Sequence, residues 1–145
     1  MKLTLPPELA ESQIFRRGGL FKMTVQFEDG TSREKYGIVV TADHTRDPVF
    51  LVLTTSKMKW YDANPKATGF IRLAAGEVQS LGKETVVTCR QLHPVPRAAF
   101  MERYQGKTIE FCEQIPPAIL AKIDAAIERS VTLSAAEKAL VLPKK

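Results

Sequence analysis

The sequence KYGIVVT, residues 35–41, decides the fold, because a polar start changes there into four residues, 37–40, without a polar side chain. Strands that are covered on both faces read as continuous apolar runs, whereas strands that are covered on one face alternate. We therefore predict a strand from about Ser32 to Thr41 that lies in the centre of a sheet.

An antiparallel partner for this strand precedes it in the chain. Apolar residues alternate there with polar ones, as in a half-buried strand, at Phe21, Met23, Val25 and Phe27. The stretch EDGT, residues 28–31, separates the two strands, and Asp-Gly between strands is a strong signal for a hairpin with a type I′ turn. We expect a β-hairpin at this place.

Further strands are expected later in the chain, which makes about five in all. The run 49–54 is rich in β-branched residues, and further strands are predicted at residues 69–73 and 84–90. Because proline cannot donate a hydrogen bond to a sheet, Pro94 and Pro96 predict that the last of these strands ends close by.

Helices are predicted in the C-terminal third. Residues 97–104 form a short helix that Gly106 ends, and one of the two prolines at 116–117 begins a longer helix. One face of the longer helix carries the apolar side chains of Ile119, Ile123, Ile127 and Val131. A final helical turn begins with the capping-box pair Ser134 and Glu137.

This order of elements predicts one α+β domain over residues 1–145, mostly β. Residues 1–17 form an N-terminal arm, about 19–92 contain the strands, and about 97–142 contain the helices. We expect a small, strongly bent sheet, an SH3-like half-open barrel that the C-terminal helix closes. A nucleotide-binding βαβ fold is excluded, because no helix of useful length separates the first three strands.

The composition excludes several classes of protein. With 44% hydrophobic and 26% charged residues, the chain is globular and not disordered. It lacks both the run of about 18 apolar residues that a spanning helix needs and a signal peptide, so we expect a cytoplasmic protein without membrane association. Cys89 and Cys112 do not form a thiolate metal site, and we expect no metal and no cofactor.

The positive charge is concentrated in the middle of the chain. The net charge is +5, and residues 54–107 contain nine Lys or Arg against four Asp or Glu, a balance of +5. Such a concentration is compatible with a phosphate-binding surface. The alternative is a set of solvated lysines without a polyanion partner. Phosphate-loop, dinucleotide-binding, zinc-protease and serine-hydrolase motifs are absent from the sequence.

The order and spacing of four segments carry a resemblance to a known family. They are the hairpin, the strand that ends in KYGIVVT, the strand that ends in LTTSK at residue 57, and ETVVTCRQL at 84–92, followed by a short and a long helix. Over about residues 19–133 the chain resembles the PemK/MazF family of toxin endoribonucleases. The resemblance implies an SH3-like barrel that forms a homodimer, cleaves single-stranded RNA without a metal, and is neutralised by a small acidic antitoxin protein.

The resemblance also implies catalytic residues. Lys35 falls at the position of the functional Arg before the second strand, and Thr55 with Ser56 falls at the hydroxyl pair of the family. His93 stands where the family has an Arg, and its near-neutral pKa makes it the candidate acid or base. The alternatives are a solvated strand lysine, hydroxyls that satisfy turn amides, and a loop histidine.

Five residues are predicted to bind RNA: Lys57, Lys59, Trp60, Arg90 and Arg97. The two arginines would hold phosphate, and Trp60 would stack on a base or, alternatively, anchor its loop on the core. Arg90 departs from the family pattern, because some members carry an Asp with an acid-base role there.

Two functions follow as hypotheses. The first is a toxin-type, metal-independent endoribonuclease of a toxin–antitoxin pair. The alternative is a non-catalytic SH3-like barrel that binds RNA, protein or an antitoxin-like peptide, because a Lys at position 35 cannot make the bidentate contact that an Arg makes. For both we expect a homodimer whose interface uses strand and loop surface.

Overall fold

Six antiparallel strands form one sheet in the computed structural model, which describes Pro6, Leu9 and residues 15–26, 29–42, 47–64 and 66–143. The strands are β1 Gly19–Gln26, β2 Ser32–Val39, β3 Val49–Thr55, β4 Phe70–Leu73, β5 Thr85–Val95 and β6 Ile109–Gln114. Their order across the sheet is β4-β5-β3-β2-β1-β6. Most of the predicted N-terminal arm lies outside the described residues.

The β1–β2 hairpin is confirmed, but its connection is longer than predicted. Gln26 pairs with Ser32, so five residues, 27–31, connect the strands instead of a two-residue type I′ turn. The Asp29 carboxylate accepts hydrogen bonds from the Thr31 backbone N–H at 2.9 Å and hydroxyl at 2.6 Å. Phe27, the last member of the alternating pattern, lies outside the described residues.

The prediction that β2 is central is confirmed. The strand lies between β1 and β3, and Ile38, Val39 and Val40 are completely buried. A Cβ on Gly37 would lie 2.7 Å from the Met23 Cε, so the absence of a side chain there makes room for methionine. The apolar run is therefore covered on both faces, as its composition indicates.

Four helices are described: α1 Lys59–Ala63, α2 Arg97–Gln105, α3 Pro117–Arg129 and α4 Ala135–Val141. On one face of the sheet, α3 contributes Ile119, Ile123 and Ile127 to a core that also contains Leu20 and Val52. The Ser134–Glu137 capping box at the start of α4 is confirmed. The two C-terminal helices therefore cover this face of the sheet.

An aromatic cluster covers the other face. Phe15 contacts Phe21, Phe100 and Tyr104 edge-on, with ring centroids 4.6 to 5.7 Å apart. Phe100 and Tyr104 belong to α2, and Phe21 belongs to β1. The sheet thus has a core on each side, and α2 closes the second one.

Three boundary predictions were wrong. Val131 is 81% exposed, because α3 ends at Arg129 before reaching it. Strand β5 extends beyond the predicted bound at residue 90 and ends at Val95, between the two prolines that predicted a nearby end. It includes Pro94 because β4 pairs only with residues 85–88, which leaves that edge free. Residues 97–142, predicted to contain the helices, also contain strand β6 between α2 and α3, and this strand pairs with β1.

The architecture is α+β, but the predicted half-open barrel is not confirmed. Among the described residues, β4 and β6 are the two edges of the sheet, each paired with a single strand, and they do not meet. None of the described helices has the length and apolar character needed to cross a membrane.

Candidate functional site

A cleft of about 580 Å³ opens where β2 begins and β3 ends. Three segments line it: residues 33–36 of β2, residues 54–57 at the end of β3, and residues 80–83 with Thr85 at the start of β5. The first two segments lie on neighbouring antiparallel strands, so the topology of the sheet brings them together.

Hydroxyl groups shape the floor of the cleft. The buried Thr54 hydroxyl donates to the Tyr36 carbonyl oxygen at 3.2 Å and thereby links β3 to β2. The Thr55 hydroxyl oxygen accepts from the Lys57 backbone N–H at 3.1 Å, a local turn of the kind that ends strands. Because Thr55 accepts in this turn, its O–H proton is available to a ligand.

The loop between β4 and β5 forms the third wall. The Glu113 carboxylate of β6 accepts from the Ser80 backbone N–H at 2.9 Å and also from the Ser80 hydroxyl. Val78 and Leu81 are buried in the core below α3. The Glu77 carboxylate lies 3.6 Å from the Lys122 ammonium of α3. Contacts with β6 and α3 therefore hold this wall in place.

The lining of the cleft is strongly cationic. Among the described lining residues, the charged side chains are one carboxylate, Glu34, and four cations, Arg33, Lys35, Lys57 and Lys83. Glu34 lies 3.2 Å from the Lys22 ammonium and raises the pKa of that lysine by a hydrogen bond and by its charge.

The positive charges of lysines 35, 57 and 83 are available to an anionic ligand. Within the part of the chain that the structure describes, no carboxylate forms an ion pair with any of the three. The cleft therefore has a positive potential that attracts anions.

Four residues predicted from the sequence meet in this cleft. Lys35, Thr55, Ser56 and Lys57 all line it. Three of them were predicted as catalytic and Lys57 as RNA-binding, so the sequence pattern selects residues that the fold brings together.

His93 lies elsewhere. It pairs with Leu51 of β3, four residues before Thr55 and thus about 13 Å away along the strand. The side chain is half-buried, and burial lowers the pKa of the imidazole. Burial therefore favours the neutral imidazole, and His93 is not among the described residues that line the cleft.

Arg97 also lies outside the lining. It begins α2, and its backbone N–H donates to the Asp47 carboxylate at 2.9 Å. Its position ties the start of the helix to the segment before β3.

Lys59, Trp60 and Arg90 form a second cluster around α1. Lys59 begins this helix and is exposed, and the Arg90 guanidinium lies 5.3 Å from the centroid of the Trp60 ring. Arg90 also donates to the Thr68 carbonyl oxygen at 3.2 Å.

The sequence reasoning missed several residues of the cleft. Arg33, Tyr36 and Lys83 line it, and Glu113 supports its wall. Arg33 and Tyr36 lie beside Lys35 on the same strand, but four consecutive residues of β2 line the cleft, so the side-chain alternation of a strand does not select them. Nothing in the sequence pairs Ser80 with Glu113, because that contact depends on the tertiary fold.

The remaining chemistry-bearing groups do not form a site of another kind. Burial raises the pKa of the Cys89 thiol to about 12, so this cysteine is not a nucleophile at neutral pH. No cluster of three metal-ligating side chains occurs among the described residues. Cationic side chains with hydroxyl donors can bind phosphate groups. Comparison with family models and with curated proteins finds no match for this chain.

Proposed function

We propose that the protein binds single-stranded RNA in this cleft and cleaves it without a metal ion, as the toxin of a toxin–antitoxin pair. The observation that supports this most directly is the meeting of Lys35, Thr55 and Ser56 in one cationic cleft. The sequence pattern predicted these three residues as catalytic. In the cleft they lie together with further cationic side chains and hydroxyl groups.

The charge and shape of the cleft suit a single strand. Lysine and arginine neutralise phosphates, and hydroxyl groups donate to their oxygens. A flexible strand can enter a concave site of about 580 Å³, whereas a duplex presents its backbone on a broad convex surface.

Cleavage requires two proton transfers and stabilisation of charge. The 2′-oxygen of the RNA attacks phosphorus, the bond to the 5′-oxygen breaks, and a 2′,3′-cyclic phosphate and a 5′-hydroxyl result. A base removes the 2′ proton and an acid supplies a proton to the 5′-oxygen. In this proposal Lys35 and the Thr55 hydroxyl stabilise the phosphoryl oxygens, and Tyr36, a lining residue that also packs against the core, transfers a proton.

A second candidate function is RNA binding without cleavage. The position of His93 favours it, because the predicted acid or base is outside the cleft and none of the described residues that line the cleft is histidine. A lysine at position 35 also gives weaker phosphate recognition than an arginine.

The wider proposal includes an SH3-like half-open barrel, a cytoplasmic location, a homodimer and a small acidic antitoxin. The antiparallel sheet with α3 packed on one face supports the fold type. The cationic cleft supports an acidic partner, because opposite potentials attract. Sedimentation of the purified protein tests the dimer, and a monomer at micromolar concentration would count against it.

One assay separates the two functions. Purified protein is incubated in EDTA with an RNA of mixed sequence, and Lys35→Ala protein purified in the same way serves as the control. Discrete cuts that end in 2′,3′-cyclic phosphate, made by the wild type only, support the nuclease. A gel shift without cuts supports the binder, and neither cuts nor a shift overturns the proposed function.

A further inference from the structure

Trp60 combines wide exposure with firm anchoring. It is 47% exposed, yet its ring contacts the Tyr61 ring at 5.0 Å, and buried Tyr61 packs on Phe70 at 4.7 Å. The Trp60 carbonyl oxygen accepts from the Asn64 side chain at 2.7 Å. The indole is therefore presented to solvent on a helix that the core holds in place.

Arg90 fixes the indole from β5. Its guanidinium lies 5.3 Å from the centroid of the Trp60 ring and donates to the Thr68 carbonyl oxygen. The Arg90 carbonyl oxygen accepts from the Thr132 hydroxyl. A guanidinium with these contacts is a support for the ring, which differs from the phosphate contact that the sequence predicted.

The Trp60 indole lies close to the cleft and has cationic side chains around it. Lys57 lines the cleft, and three Cα–Cα steps of 3.8 Å limit its separation from Trp60 to about 11 Å. Lys59 and Lys66 are exposed on the same segment. The acidic residue of α1, Asp62, forms an ion pair with Arg72 at 2.9 Å.

We propose that Trp60 is a stacking subsite for an unpaired nucleobase of the strand whose phosphates lie in the cleft, with Arg90 as a positioning residue. This inference rests on the proposed function. Aromatic side chains beside a cationic groove bind bases of any type through their π-faces. The cations around Trp60 favour a nucleic acid over an apolar protein partner, because they complement phosphates on both sides of the base.

The experiment uses Trp60 as its own reporter, because it is the only tryptophan in the chain. The full-length protein is titrated with a labelled 2′-O-methyl RNA, which lacks the attacking hydroxyl, and with an abasic oligomer of the same length. We expect the RNA to quench the tryptophan fluorescence, and the abasic oligomer to bind with little quenching.

Variants test the same subsite through affinity, measured by anisotropy of the label. Trp60→Ala should weaken binding of the RNA roughly tenfold and leave binding of the abasic oligomer unchanged, whereas Trp60→Phe should retain most of the affinity. Val131→Ala, at another exposed apolar residue, is the matched control. Arg90→Ala should weaken binding in the wild type but not in the Trp60→Ala background, because a positioning residue acts through the ring.

The outcomes separate this inference from the proposed function. If the wild type binds RNA but Trp60→Ala binds equally well and the fluorescence is unchanged, the subsite is overturned and the cleft survives. A protein-docking role for Trp60 would give this result too. If the wild type binds neither oligomer, both are overturned. If Arg90→Ala weakens binding equally in the wild type and in the Trp60→Ala background, Arg90 contacts phosphate directly, and its positioning role is overturned.

Discussion

The two ends of the β2–β3 strand pair differ in burial and in role. At one end, residues 37–40 and 49–52 are buried or half-buried between two cores and carry no charged side chain. At the other end, residues 33–36 and 54–57 open into a cleft with several cations. One pair of strands therefore supplies both the stability of the sheet and its candidate site. The two properties should therefore be separable by substitution.

The largest expected effect is at the buried end. Ile38→Ala should lower the free energy of unfolding by about 2–5 kcal/mol, because it removes apolar volume from a completely buried position. Urea denaturation measures it, with Ile38→Val as a milder variant expected to lose about 0.5–1.5 kcal/mol. Lys35→Ala, on the same strand, should change stability by about 0.5 kcal/mol or less. Equal losses at the two positions would contradict the division.

At the open end, Lys35 should control activity. If Lys35 contacts the scissile phosphate, Lys35→Ala should lower cleavage about 100-fold or more, and Lys35→Arg should raise it by a bidentate contact. Cleavage rates on one RNA measure this, and thermal denaturation confirms that the variants are folded. Thr55→Ala should reduce cleavage as well. Equal activity in the wild type and both Lys35 variants would move the chemistry to another place.

The salt dependence of binding should count the phosphate contacts in the cleft. Affinity for single-stranded RNA should fall steeply between about 50 and 200 mM salt. Lys57→Ala and Lys83→Ala should each reduce the slope of log K against log salt by about 0.7, because each removes one phosphate contact. Lys107→Ala, at a lysine that does not line the cleft, is the control. Binding that is insensitive to salt would refute an electrostatic site.

The smallest effect concerns His93. Burial lowers the pKa of its imidazole below 6.5, so below this pH the unfolded chain binds a proton that the native protein does not bind. The contribution of His93 to stability is therefore lost as the pH falls below about 6.5, and His93→Gln should flatten this part of the curve. The same variant should cleave RNA like the wild type. A marked loss of activity would show that His93, which lies opposite Leu51 of β3, takes part in the chemistry.

Local patterns predicted much of the fold. The run at 37–40 identified the central strand, and Ser134 with Glu137 identified the start of α4. Strand β6 was missed because its sequence, IEFCEQ, is short and carries two glutamates, and it is a strand only through its pairing with β1. The hairpin was predicted, but its five-residue connection was not, because Asp-Gly favours a shorter turn.

Only those site residues that lie on adjacent strands of the sheet could be predicted from the sequence. Lys35 and Thr55 lie on adjacent strands, so a correct strand order brings them together. Lys83 enters the cleft because Glu113 holds the Ser80 loop, a contact that no local pattern shows. His93 lies elsewhere because Thr55, at the end of β3, pairs with Val86, seven positions before His93 on β5.

The pairing of β1 with β6 also has a consequence for how the chain folds. Four strands and two helices separate these partners, so the first strand of the sheet receives its outer neighbour only when residues near the C-terminus are available. During synthesis the open edge of β1 therefore stays unpaired until most of the chain has left the ribosome. Sheets dominated by such long-range pairings fold in milliseconds to seconds, since loop closure precedes the stabilising contacts. We therefore expect the hairpin to form early and the outer edge of the sheet to form last.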